Sequence, residues 1–173
     1  MICPACGHTN IDGADVCDRC EASLVFQSKP RPKSNLERSI WKDRLRVLSP
    51  RAAMSVAPQT PVGEVLKLLV ERGIGCVPVE QDGKVVGIFS ERDALLRLNT
   101  EAQALRERPV ADFMTSPAES LDIDDKIAFA LHKMDLGGYR HIPVLEQGAL
   151  RGVISVRDIL RYMTTTILTS ELR

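Results

Sequence analysis

The residues of this 173-residue chain best suited to chemistry fall into two groups: four cysteines near one end, and a hydroxyl–carboxylate pair that occurs twice. The cysteines stand as Cys3-x2-Cys6 and Cys17-x2-Cys20. A two-residue gap lets a tight turn aim both sulfurs at one ion, and two such turns complete a tetrahedral shell. Four thiolates accept zinc or iron, with zinc preferred. They leave no open coordination position, so the site is expected to be structural. A pair of disulfides is the competing reading, and it runs against a reducing cytoplasm. Gly7 follows the first turn, where the backbone amides must fold back toward sulfur. A segment this short cannot bury a core, so metal must supply its folding free energy, about 10–16 kcal/mol for structural zinc. His8 is expected to face solvent, and Cys76, the fifth cysteine, to be a small core residue.

The second group is Ser90-Glu91-Arg92-Asp93 and Ser155-Val156-Arg157-Asp158. Each lies where an apolar strand pattern gives way to a helical one. Ser-x-x-Asp there sits beside unpaired backbone amides and suits hydrogen bonding to a polar or anionic ligand. The plainer reading is a helix cap, with the carboxylate three residues after the serine. A single copy is better read as a cap. Two copies change the balance, because they belong to a longer repeat at an offset of 65 residues: Pro78-Val79 returns as Pro143-Val144, Gly83 as Gly148, Gly87 as Gly152 and Leu95 as Leu160. Eight of the eighteen positions from 78 to 95 are identical, which marks a duplicated structural unit.

Each copy needs the same elements to position its pair. A short strand comes first, around Ser55–Ala57 and Ala118–Leu121. A helix opened by Thr60-Pro61 or Asp124-Asp125 follows, with apolar stripes Val62, Val65, Leu66, Leu69 and Ile127, Ala130, Leu131, Met134. A strand (Cys76–Val79; His141–Val144), a hairpin at Asp82-Gly83 or Gln147-Gly148, and a return strand (Val85–Phe89; Leu150–Ile154) lead to the second helix. Before the repeats, Asn35 is expected to cap a helix from Leu36 to about Val47, with Ile40, Trp41, Leu45 and Leu48 on one face. Ahead of it, Gln27–Ser34 is a Pro-rich polar spacer. These boundaries divide the chain into a metal-binding segment (1–26), a linker (27–35), a first repeat with its lead-in helix (36–108) and a second repeat (109–173).

Composition narrows the function classes. Lys plus Arg and Asp plus Glu both number 23, which argues against bulk nucleic-acid binding. Residues 27–51 are locally basic, best read as a solvated linker and helix face. No apolar run reaches the length of a membrane span, and Met1-Ile2-Cys3-Pro4 lacks the marks of a signal peptide, so the chain is expected to be cytoplasmic. No nucleophile–base pair, open metal position or Gly-rich phosphate loop is present, and His8, His132 and His141 are the only histidines, so the chain is not expected to be an enzyme.

The order β-α-β-β-α, the Pro-Val strand, the glycine hairpin and the Ser-x-Arg-Asp junction resemble the cystathionine-β-synthase (CBS) domain, present in tandem over roughly residues 47–165. The first 24 residues resemble the short zinc ribbons attached to regulatory proteins. The resemblance implies an α+β fold in which two repeats pack by their sheets about a pseudo-twofold axis. It also implies two clefts for adenosine-containing ligands, with the aspartate holding the ribose hydroxyls and basic residues before the opposite repeat's Pro-Val strand reaching phosphate. Carried onto this chain, the nucleotide-binding residues are Ser90, Arg92, Asp93, Arg140, His141, Ser155, Arg157 and Asp158, and the metal ligands are Cys3, Cys6, Cys17 and Cys20. Copy two has Tyr139-Arg140-His141 before its strand where copy one has uncharged Ile74-Gly75-Cys76. The Asp93 cleft is therefore expected to receive Arg140 and His141 and to prefer the more anionic ligand. The family also implies a homodimer. These features point to a non-catalytic regulatory protein sensing an adenine nucleotide (AMP, ADP, ATP or a related adenosyl ligand). The alternative is a zinc-ribbon adaptor for a nucleic acid or protein partner, with the repeats as a dimerisation scaffold.

Overall fold

A computed structural model of the chain describes residues 2–11, 14–24, 32 and 34–171. The chain forms two compact units, Met1–Arg38 and Ser39–Arg173. Most of the Pro-rich spacer lies outside the described residues.

The first unit is itself a small duplication. Cys3 donates its amide to the His8 carbonyl and accepts from Gly7 at its own carbonyl, both at 2.8 Å. Cys17 repeats this with Ala22 and Glu21, at 2.9 and 2.8 Å. The turn residues Gly7 and Glu21 both take left-handed φ, 71° and 56°. Glycine adopts that conformation freely, and Glu21 bears a strain that the turn must offset. Bridges Ile2–Thr9 and Val16–Ser23 close the two turns, and Cys3, Cys17 and Leu24 form the miniature core.

From residue 35 onward the elements run α1 (Asn35–Lys42), a 3₁₀ turn (Leu45–Leu48), α2 (Val62–Arg72), β1 (Cys76–Gln81), β2 (Lys84–Ser90), α3 (Glu91–Asp93), a π-helical segment (Ala94–Leu98), a 3₁₀ turn (Asn99–Glu101) and α4 (Ala102–Leu105). A further 3₁₀ turn (Val110–Asp112), β3 (Leu121–Asp122), α5 (Ile127–Gly137), β4 (His141–Glu146), β5 (Ala149–Ser155) and α6 (Val156–Glu171) complete it. Both hairpins pair antiparallel in the same register, with a bulge after Val79 and after Val144. Asp82, Gly83, Gln147 and Gly148 all have positive φ, as a type I′ turn requires. Each apolar stripe is buried as its spacing implies, with Leu66 and Leu131 at the margins of their cores. The expected first strands are shorter than the sequence suggests. In copy one only Val56 bridges, parallel to Val79; in copy two Leu121 and Asp122 pair with Val144 and Leu145.

The lead-in helix differs more. It starts at Asn35, with Ser34 Oγ rather than Asn35 accepting the Glu37 amide at 3.0 Å, and it stops at Lys42. Trp41 is 45% exposed instead of lying on the apolar face. The helix ends because the following main chain is engaged elsewhere: Ile127 donates to the Asp43 carbonyl, Arg44 bridges Lys126, and Leu45 donates to Asp125. Leu45, grouped by sequence order with the first repeat, is fully buried in the core of the second. The same pattern occurs 65 residues on. Val62 donates to Arg108, Pro61 bridges Pro109, Val110 donates to Thr60, and Val110 is buried in the core of the first repeat. Each repeat thus inserts its lead-in into the other. The exchange extends to the sheets: Thr115 bridges Ile88 on β2, and Arg51 bridges Val153 on β5. This reciprocal exchange makes the pseudo-twofold packing.

Candidate functional site

The β2-to-α3 and β5-to-α6 junctions carry the two serine–aspartate pairs. The Ser90 amide and hydroxyl donate to Asp93 Oδ2 at 2.9 and 2.6 Å, and the Asp93 amide donates to Ser90 Oγ at 3.4 Å. The Ser155 amide and hydroxyl donate to Asp158 Oδ2 at 2.8 and 2.7 Å. Both pairs therefore act as helix caps, and each spends only one carboxylate oxygen in doing so. The other oxygens differ. Asp93 Oδ1 accepts from the Thr115 hydroxyl at 2.8 Å and lies 3.6 Å from Arg97 Nε. Among the described residues, Asp158 Oδ1 has only Arg161, at 3.7 Å. Asp158 is the more available acceptor.

Each carboxylate opens onto a cleft between the repeats. The Asp93 cleft, of about 330 Å³, is bounded by Ser90, Arg92 and Arg97 on one side and Gly138, Tyr139, Arg140 and His141 on the other. The Asp158 cleft, of about 690 Å³, takes Ser155 and Arg157 from the second repeat and Ile74, Gly75 and Cys76 from the first. The crossed arrangement expected from sequence is present, but its charge assignment needs correction. Arg140 and His141 line both clefts, and Arg51, Arg72 and Arg161 also line the Asp158 cleft, with Glu91 as an opposing charge. Arg51 arrives through the exchanged lead-in and Arg72 from the end of α2. Neither stands in the repeated motif, so no local pattern in the sequence announces them. The Asp158 cleft is thus the larger and the richer in arginine.

His141 is half-buried, and burial, then the neighbouring Arg140, lowers its pKa despite Glu91 and Asp158. Its ring occupies the place a side chain at Gly75 would take: a Cβ there would lie 2.7 Å from two imidazole atoms. The missing side chain in copy one is what admits the histidine of copy two. Cys76 is buried, and burial, aided by Glu91 and Asp93, pushes its thiol up to about 12, so it is a core residue without thiolate character.

In the first unit, the sulfurs of Cys3, Cys6, Cys17 and Cys20 all lie within 4.8 Å of one another, with Cys3–Cys20 and Cys6–Cys17 both at 3.7 Å. A tetrahedron with Zn–S bonds of about 2.3 Å sets its sulfurs about 3.8 Å apart, so the cage fits the ion. Burial alone would raise the Cys17 thiol, but the Arg19 and Cys20 amides and the Asn10 side chain bring it down to about 6. Cys20, although favoured by the Ala22 amide, is pushed up to about 12 by the crowding of Cys6 and the other sulfurs. Four clustered thiols cannot all ionise without a cation between them. Asn10, buried at 5% exposure, ties the halves together through His8 O at 3.1 Å and the Asp18 amide at 3.0 Å. Neither the cysteine spacing nor the repeat points to it. His8 is half-buried and lies outside the sulfur cluster.

The CBS domain family matches residues 48–100 and 110–165, and the chain belongs to that family as a tandem pair. A CBS-domain protein from Agrobacterium tumefaciens, ATU1752, is 31% identical, with a TM-score of 0.62 over 68% of this chain and 94% of that one. CBSX2, solved in complex with AMP, is 29% identical, with a TM-score of 0.57 over 67% and 91%. Inosine-5′-monophosphate dehydrogenase from Thermoplasma acidophilum is 28% identical over 79% of this chain and 27% of its own length. The chain spans between 27% and 64% of the length of the first three curated relatives it matches. Among the described residues, no helix is long and apolar enough to cross a membrane.

Proposed function

We propose that this protein is a non-catalytic regulator that binds an adenine nucleotide in the clefts between its repeats. The observation that carries the reading is the pair of capped carboxylates, each lining a cleft whose far wall comes from the other repeat. An ionised carboxylate can accept both hydroxyls of a ribose, and a charge-assisted bond is about twice as strong as a neutral one. The AMP carried by CBSX2 supports the same ligand class. Arginine placement favours a polyphosphate in the Asp158 cleft and a less charged nucleotide in the smaller Asp93 cleft. Mass spectrometry of small molecules released from freshly purified protein tests this. An adenosine-containing ligand is expected, and protein that neither retains nor takes up one contradicts the reading.

The four-cysteine unit is read as a structural zinc ribbon on the strength of its sulfur spacing, with one zinc per chain expected by elemental analysis. The exposed Leu95, Leu96, Leu136 and Leu160 support association of two chains through the repeat helices, which light scattering would register. The basic stretch offers less to a nucleic acid than its sequence suggests. Arg46 is 3.2 Å from Asp124 and 3.0 Å from Glu146, and Arg44 donates to the Asp124 carbonyl. The cytoplasm and the 1–26, 27–35, 36–108 and 109–173 boundaries complete the proposal. Because the lead-ins are exchanged, neither repeat is expected to fold alone if the chain is cut at 108.

A further inference from the structure

Arg140 and His141 sit at the start of β4, between the two clefts, and line both of them. The corresponding positions of the first repeat are Gly75 and Cys76, so the pseudo-symmetric partner wall brings no charge of its own. Arg140 is exposed, and among the described residues it has no ion pair to hold it to one side. Burial, then Arg140 itself, lowers the His141 pKa from its ordinary value. The Arg140 guanidinium is thus an unanchored positive charge facing two sites.

We propose that the two clefts are coupled through this shared wall: an anionic ligand in one draws Arg140 to itself and weakens anion binding in the other. The inference rests on the nucleotide-binding reading above and adds its regulation. On the Asp93 side Arg92 and Arg97 line the cleft but are already engaged with main-chain carbonyls. Arg92 Nη1 lies 3.4 Å from the Gly138 carbonyl, and Arg97 Nη1 lies 3.1 Å from the Phe113 carbonyl. The Asp158 cleft keeps Arg51, Arg72, Arg157 and Arg161 and so loses less when Arg140 leaves. Coupling is reciprocal in free energy, but its visible effect falls on the site that fills second, the Asp93 cleft. A neutral nucleoside makes no demand on the guanidinium and does not couple.

Calorimetric titrations with ATP and with adenosine test this. Asp158→Ala and Asp93→Ala each leave one cleft and give its affinity alone. Where Asp93→Ala fails to fold, Asp93→Asn removes the charge while keeping an oxygen for the Ser90 amide. In the unaltered protein the second ATP is expected to bind about fivefold or more weakly than its cleft does alone, a typical lower bound for a coupled pair. Adenosine is expected to bind both clefts with their separate affinities, and Arg140→Ala should bring ATP to the same independence. Independent ATP sites in the unaltered protein would overturn the shared wall while leaving nucleotide binding intact. Coupling that persists undiminished in Arg140→Ala would also overturn it, by assigning the effect to repulsion between phosphates. Absence of heat with either ligand would remove the binding reading itself, and the coupling with it.

Discussion

The two repeats agree in what they ask of the backbone and differ in the segments beyond their carboxylates. After Asp158 the chain continues as one helix, α6, through a run of threonines that are poor helix formers. Their hydroxyls bond back one turn, Thr164 to Leu160, Thr165 to Arg161 and Thr166 to Tyr162, at 2.8–2.9 Å. After Asp93 the helix widens into a π turn and stops at Asn99, which takes φ 47°. The break lets Arg97 reach the Phe113 carbonyl and approach Asp93 while Thr115 caps the remaining oxygen. One duplication has thus yielded a smaller cleft with a pre-engaged carboxylate and a larger, arginine-rich one. The difference lies outside the shared motif, in the segments that follow the carboxylates, in the end of α2 and in the exchanged lead-ins.

The largest effect should come from breaking that exchange. Leu45→Ala is expected to cost about 2–5 kcal/mol, as a fully buried leucine does, and Val110→Ala less because fewer methyl groups are lost. Hydrogen exchange should place the damage of Leu45→Ala in α5 and β4, not in α2 and β1. The reverse pattern would mean that each lead-in stabilises its own repeat.

A smaller contrast is expected at the matched glycines of the two return strands. A Cβ at Gly152 would collide with the Arg51 main chain, whereas one at Gly87 would meet the flexible side chain of Met114. Overpacking costs about 1–3 kcal/mol, and Gly152→Ala should fall at the upper end with Gly87→Ala at the lower. Equal losses in thermal denaturation would show that the two crossings are equally yielding.

The same contrasts separate what is legible in the sequence from what is not. Identity survives from 78 to 95 because those positions need particular residues: glycine where a neighbouring chain crosses or φ is positive, and aspartate where an amide and a hydroxyl must both be satisfied. Strand and helix stripes are legible for the same reason, since their periods reflect burial. The lead-ins repeat at the same offset without shared residues, because Asp43, Arg44 and Leu45 engage α5 through main-chain groups that any side chain permits. The helix break after Asp93 is equally hidden, since Leu95 and Leu160 match in sequence and both are exposed. Hence sequence alone assigns too little charge to the Asp158 cleft. Arg51 and Arg72 reach it by tertiary routes that no local pattern records.

The smallest expected effect concerns His141, which with Arg140 lines both clefts. Its folded pKa lies below the ordinary 6.5, so on acidification the unfolded chain takes up the proton first. The stability that neutral His141 allows is present above that ordinary value. It should fall as pH drops through 6.5 and stop falling below the depressed folded value. Denaturant titrations across this window should show a shallower slope in His141→Gln, and an unchanged slope would assign the pH dependence elsewhere.

The central claim is that two like carboxylates serve unlike clefts, with Asp158 at the tighter site for anionic nucleotides. Calorimetric titration of ATP into Asp158→Ala and Asp93→Ala tests it most directly. Loss of a charged hydrogen-bond partner costs about 1.5–3 kcal/mol, so Asp158→Ala should weaken the tighter site about 10- to 150-fold. Asp93→Ala should leave that site nearly unchanged. Tight ATP binding that survives Asp158→Ala and is lost in Asp93→Ala would reverse the assignment, and binding unaffected by either change would reduce both pairs to helix caps.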